Sequence, residues 1–81
     1  MNKNTGVQKM TNYKFKKQHS HEYTCDINEN HYRMTKMANC QIWDIEKFNP
    51  NSIREYDLEI TFTTLRECKD YLSEIHKVDI K

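Results

Sequence analysis

Glycine and proline are almost missing from this chain, which has one of each, Gly6 and Pro50, in 81 residues. Phosphate-cradling turns and strained catalytic loops depend on such residues, so their scarcity argues against an enzyme built on backbone nests. Long apolar runs are also lacking. None approaches the roughly 18 residues of a membrane-spanning helix, and the N-terminus lacks the apolar core of a signal peptide. The three cysteines, Cys25, Cys40 and Cys68, are odd in number and share no repeated spacing. They fit free thiols in a reducing compartment better than a disulfide framework, and a cytoplasmic protein is expected. Acidic residues are absent from Met1 to His21, which carries five lysines; the remainder has eight Lys or Arg against twelve Asp or Glu. A basic arm on a mildly acidic body is therefore expected, with residues 1–12 as a flexible arm and 13–81 as one small domain.

What is present is a folding pattern. Tyr56, Leu58, Ile60 and Phe62 recur at every second position, the period of a half-buried strand. The period then lengthens: Leu65, Cys68, Leu72 and Ile75 fall at helical spacing, with charged residues on the other faces. Thr64 and Glu67 have the spacing of a capping box, which starts the helix at Leu65. Upstream, Tyr23, Cys25 and Ile27 alternate with Glu22, Thr24 and Asp26. Asn28 to Asn30 signals a turn, Tyr32 to Met37 a return strand, and Cys40 to Phe48 a longer strand with Trp43 and Ile45 on its buried side. Asn49, Pro50, Asn51 and Ser52 form a loop. Tyr13 and Phe15 suggest a further short strand that Gln18 to Ser20 interrupts.

The expected fold is thus α+β: an antiparallel meander of three to four strands, covered on one face by a C-terminal helix. Its core would comprise Trp43, Ile45, Leu58, Ile60, Phe62, Leu65, Cys68, Leu72 and Ile75. The other face would display Arg33, Thr35, Ile42, Asp44, Glu46, Asp57, Glu59 and Thr61, with an acidic middle.

Few combinations of residues suggest reaction chemistry. Among the histidines and cysteines only His19 and His21 are close enough in sequence to form a zinc knuckle, so no metal and no cofactor is expected. A nucleophilic cysteine would need an orienting partner and a pocket, and no motif supplies them. The pairs Asp44 with Glu46, and Asp57 with Glu59, suit a charged surface better than acid and base catalysis. No enzyme is expected.

Two binding readings follow. Lys9, Lys14, Lys16 and Lys17, interleaved with Tyr13 and Phe15, have the composition of a nucleic-acid-binding arm. The aromatic strand Cys40 to Phe48 and the run Phe62 to Cys68 resemble the small DNA-reading domains of certain plant regulators and of some tyrosine integrases. That resemblance implies a DNA-binding regulator reading through the open sheet face, where Asp44, Glu46, Asp57 and Glu59 would repel phosphate. The composition, rich in Asn, Lys and Ile, and the strand-to-helix run Ile60 to Ile75 resemble small accessory proteins of phages and mobile elements, including anti-CRISPR proteins. This resemblance implies a non-enzymatic inhibitor in the cytoplasm of a bacterial host. Its partner would be a nucleic-acid-handling defence effector, bound through Asp44, Glu46, Tyr56, Asp57 and Glu59. A third reading is self-association through a sheet edge.

Overall fold

A computed structural model of the chain describes residues 13–81. The expected arm of residues 1–12, including Lys9, lies outside the described residues. Five strands follow in order, β1 (Lys16–His19), β2 (Glu22–Ile27), β3 (Asn30–Lys36), β4 (Trp43–Phe48) and β5 (Tyr56–Phe62), and then helix α1 (Leu65–His76). Each strand pairs antiparallel with the next, giving a meander in the order β1-β2-β3-β4-β5. The α+β class is as expected, whereas the strand count rises from three or four to five. The added strand, β1, is an exposed edge of Lys16, Lys17, Gln18 and His19 with no apolar alternation to announce it. Its register shifts between Lys17 and His19, so pairing continues through residues that read in the sequence as an interruption.

The local rules explain the joints. Asn28 turns β2 into β3 at φ 57°, a left-handed conformation that its short polar side chain tolerates. Met37 O accepts from Cys40 N at 3.0 Å, closing a turn before Trp43, which delays β4 relative to the expected start at Cys40. The capping box forms as its spacing predicts. Glu67 N donates to Thr64 Oγ1 at 3.1 Å, and Thr64 N donates to Glu67 Oε1 at 3.1 Å. At the other end Lys77 adopts φ 56° and donates to Ser73 O, an αL cap made without glycine.

The core lies between the helix and one face of the sheet. Cys25, Ile27, Tyr32, Met34, Trp43 and Ile45 meet Cys68 and Leu72, with Phe15, Tyr23, Ile60, Phe62 and Tyr71 packed around them. Each fully buried aliphatic side chain contributes about 1.5–3 kcal/mol through removal of apolar area from water. Two residues expected in this core are outside it. Ile75 is 44% exposed because the inward stripe continues from Leu72 to His76, a full turn on, whose Nε2 lies 2.7 Å from the Tyr32 hydroxyl. Leu58 is 62% exposed, and its displacement has a different cause.

That cause is a bulge in β5. Ile45 faces Ile60, but the next residue of β4, Glu46, faces Leu58, leaving Glu59 as an extra residue. Side chains alternate between faces, so one inserted residue reverses the assignment of everything beyond it. Ile60 and Phe62 remain on the helix side, opposite Ile45 and Trp43, while Leu58 and Tyr56 join Glu46 and Phe48 on the open side.

Candidate functional site

The open face is built in rows across the strands. One row runs Glu22, Thr35, Asp44, Thr61; the next runs Thr24, Arg33, Glu46, Leu58; the last runs Asp26, His31, Phe48, Tyr56. The last row is a set of interacting rings. His31 lies 6.4 Å from Phe48 and 6.0 Å from Tyr56, and Phe48 lies 5.6 Å from Tyr56 in an edge-to-face arrangement. Between rows, the Arg33 guanidinium stacks over Tyr56 at 3.8 Å from the ring centre, while its Nε donates to Glu46 Oε1 at 2.8 Å. His31 is in turn held by the Asp26 carboxylate.

This network fixes the rings in place, half-burying His31 and Tyr56 and leaving Phe48 the most open of the three. Phe48 stays 41% exposed and Leu58 62%, and Ile53, in the loop before β5, is fully exposed. The result is an apolar strip, the ring row plus Leu58 of the row beside it, at one end of a sheet face that is otherwise polar. Preorganised rings flanked by a stacked arginine need little further ordering to bind, a property shared with the anchor residues of protein interfaces.

The four candidate carboxylates do not share this face. Asp44 and Glu46 do, opposite Thr35 and Arg33. Asp57 faces Lys47, on the side of Tyr32 and Ile45, because the bulge has reversed its parity. Glu59 is near enough to the Tyr32 hydroxyl that its charge adds to burial in raising that group's pKa. Asp57 also pins the loop that precedes its strand, since Asn49 Nδ2 donates to its Oδ2 at 2.7 Å. Hydrogen bonds from Asn49 and then Ser52 hold its carboxyl below the ordinary value. Both partners lie in the loop closed by Asn49 N to Glu55 O at 2.8 Å, with Glu55 at φ 67°. The acidic face expected from simple alternation is therefore divided between two sides of the sheet. Of the five expected partner-binding residues, the open face gathers Asp44, Glu46 and Tyr56, and alternation alone does not reveal that Phe48, Leu58, Arg33 and His31 accompany them.

The nucleic-acid candidates are distributed differently. Lys14, Lys16 and Lys17 are exposed, but the aromatics between them are packed. Phe15 lies 6.5 Å from Tyr23 with the Lys69 ammonium 5.5 Å from its ring, and Tyr13 donates to Asn28 Oδ1 at 3.0 Å. Neither ring is offered as a platform for bases. The residues weighed for zinc are dispersed as well. His19 pairs with Glu22 and accepts from His21 N, while Cys25 and Cys68 lie in the core. Burial pushes the Cys25 thiol up to about 11 and the Cys68 thiol up to about 12. Among the described residues no helix is long and apolar enough to cross a membrane. No family model, no curated protein and no solved structure matches the chain.

Proposed function

We propose that this is a non-enzymatic binding protein that occupies a surface of another protein through the open face of its sheet. The observation that carries the reading is the apolar strip of exposed Phe48 and Leu58 with half-buried Tyr56, held by Arg33 stacked on Tyr56. Tyr56 and Phe48 act as anchors, and Asp44 at the polar rim favours a partner with basic groups at the matching position. Glu46 contributes less to that attraction, since Arg33 already neutralises it. The style of the sequence suggests the class of partner: a nucleic-acid-handling defence effector of a bacterial host, met by a small protein of a phage or mobile element. Such effectors carry basic surfaces that an acidic-rimmed, aromatic face complements.

The test is affinity capture from a bacterial host with mass spectrometry, repeated with Tyr56→Ala and with Leu58→Glu. A partner retained by the native protein should be lost from both variants, and Tyr56→Ala should weaken the purified complex by about 30-fold, the effect of removing one interface anchor. Undiminished binding by both variants would remove the open face from consideration. Capture of nucleic acid alone, with an affinity that falls steeply with salt, would support the DNA-binding regulator and its arm.

A further inference from the structure

A second surface lies where β5 ends the sheet. Among the described residues β5 has a strand neighbour only in β4, so backbone N–H and C=O groups along its other side lack a ladder partner. The bulge at Glu59 divides this edge into two regular halves, Tyr56–Leu58 and Ile60–Phe62, of which the second lies next to the helix start. At the Phe62 end of this edge lies a shallow, open groove of about 420 Å³ that continues along α1. Its floor is Phe62 and Tyr71, with ring centres 5.5 Å apart, and its wall is Glu67, Asp70 and Glu74, with no lysine or arginine among the lining residues. Spacings of three and four residues put these carboxylates on one stripe of the helix. Asp70 and Glu74 do meet Arg66 and Lys77, at 3.4 and 3.5 Å, but these pairs are exposed and bind their carboxylates weakly.

We propose that this groove receives an extended basic peptide segment of a partner protein, which adds to the free edge of β5 at Ile60–Phe62. One aliphatic side chain of the segment rests on Phe62 and Tyr71, and its Lys or Arg residues meet Asp70 and Glu74, while Glu67, held in the helix cap, adds its charge to the field. Backbone pairing supplies affinity and the alternate side chains supply selectivity, as in other strand-addition sites. Charge argues against a second copy pairing β5 with β5 here, because the copy would bring a second acidic stripe of Glu67, Asp70 and Glu74 and no basic residue of β5 to the site. The opposite edge of the sheet, β1, is short and bulged and presents Lys16 and Lys17, so a basic segment is repelled there.

The full chain, labelled with nitrogen-15, can be titrated with a short blocked peptide of alternating lysine and valine. Saturable shifts should centre on Ile60, Thr61, Phe62 and Tyr71, with slowed amide exchange along the outer side of β5. Replacing the peptide's lysines by glutamate, or its central valine by proline, should weaken binding by about tenfold or more, as should Asp70→Lys with Glu74→Lys in the protein. Both protein positions are exposed, and circular dichroism checks that the fold is kept. Absence of saturation up to about 1 mM peptide overturns the proposal. So does equal binding of the proline peptide, which would reduce the contact to charge alone. Shifts centred on Arg33, Phe48 and Tyr56 would move the peptide to the open face and overturn it too. A dimer of the free chain by light scattering would assign the edge to a second copy, with the same consequence.

Discussion

The two halves of β5 have the same sequence pattern and opposite fates. Ile60 and Phe62 pack toward the helix, whereas Tyr56 and Leu58, continuing the same alternation, lie on the open face. The difference is one residue, Glu59, that has no opposite number in β4. Alternation of apolar residues therefore encodes a buried stripe only while the ladder is unbroken. Beyond a bulge the same letters encode an exposed apolar surface, and here that surface is the proposed binding strip.

The buried and open sides of the sheet should respond most differently to loss of side-chain volume. Ile45→Ala, opposite Ile60, should lower stability by about 2–5 kcal/mol in denaturant unfolding, while Leu58→Ala should change it by no more than about 0.5 kcal/mol. A loss at Leu58 as large as that at Ile45 would place Leu58 in the core rather than on the open face. Deleting Glu59 attacks the bulge itself. Restored alternation would drive Tyr56 and Leu58 toward the helix side, abolishing contacts between Arg33 and Tyr56 in nuclear Overhauser spectra at a cost of the order of 2 kcal/mol. If those contacts persist, the bulge is not what places Tyr56.

The helix start supplies a smaller effect. Thr64→Ala removes the cap and should cost about 1 kcal/mol. The capping carboxylate, Glu67, is held below the ordinary 4.5 chiefly by the Thr63 hydroxyl and also by Thr64. A depressed folded-state value stabilises the protein above the unfolded carboxylate range and is lost as pH falls through the folded value. Acid unfolding of Thr64→Ala should therefore be less sensitive to Glu67→Gln than acid unfolding of the native chain; equal sensitivity would separate Glu67 from the cap. The smallest change is chemical. Iodoacetamide at neutral pH should modify the half-buried Cys40 first and reach Cys25 and Cys68 only after unfolding, and early modification of either would place it outside the core.

Much of the fold is legible in the sequence because it rests on local rules. The alternation of Tyr23, Cys25 and Ile27, the buried side of β4 and the Thr64 to Glu67 box each depend on neighbours in sequence, and each occurs in the structure. The bulge is illegible because Glu59 is neither glycine nor a turn former, and nothing in Tyr56 to Phe62 marks the insertion. The candidate site suffers directly: simple alternation puts Asp57 and Glu59 on the wrong side and selects Tyr56 without its true neighbours. β1 is legible only in part, as the short strand suggested by Tyr13 and Phe15, because Lys16 to His19 pair through backbone and polar contacts that leave no apolar pattern. His76 displaces Ile75 because a stripe drawn at three- and four-residue steps has two continuations, and only packing against Tyr32 selects one.

After the helix the chain turns back at Lys77, and Ile80 forms a parallel bridge with Tyr13, secured by Lys81 N to Tyr13 O at 2.8 Å. Every strand pairing in the sheet joins sequence neighbours and can form as a hairpin, quickly and independently. Among the described residues the Tyr13 to Ile80 bridge is the exception: its closure entropy is large, and it rewards the chain only after all the hairpins and the helix are in position. It should be the last contact made in folding and the first released in native-state hydrogen exchange, so that local opening begins at this clasp and frees β1 while the open face of β3, β4 and β5 stays intact.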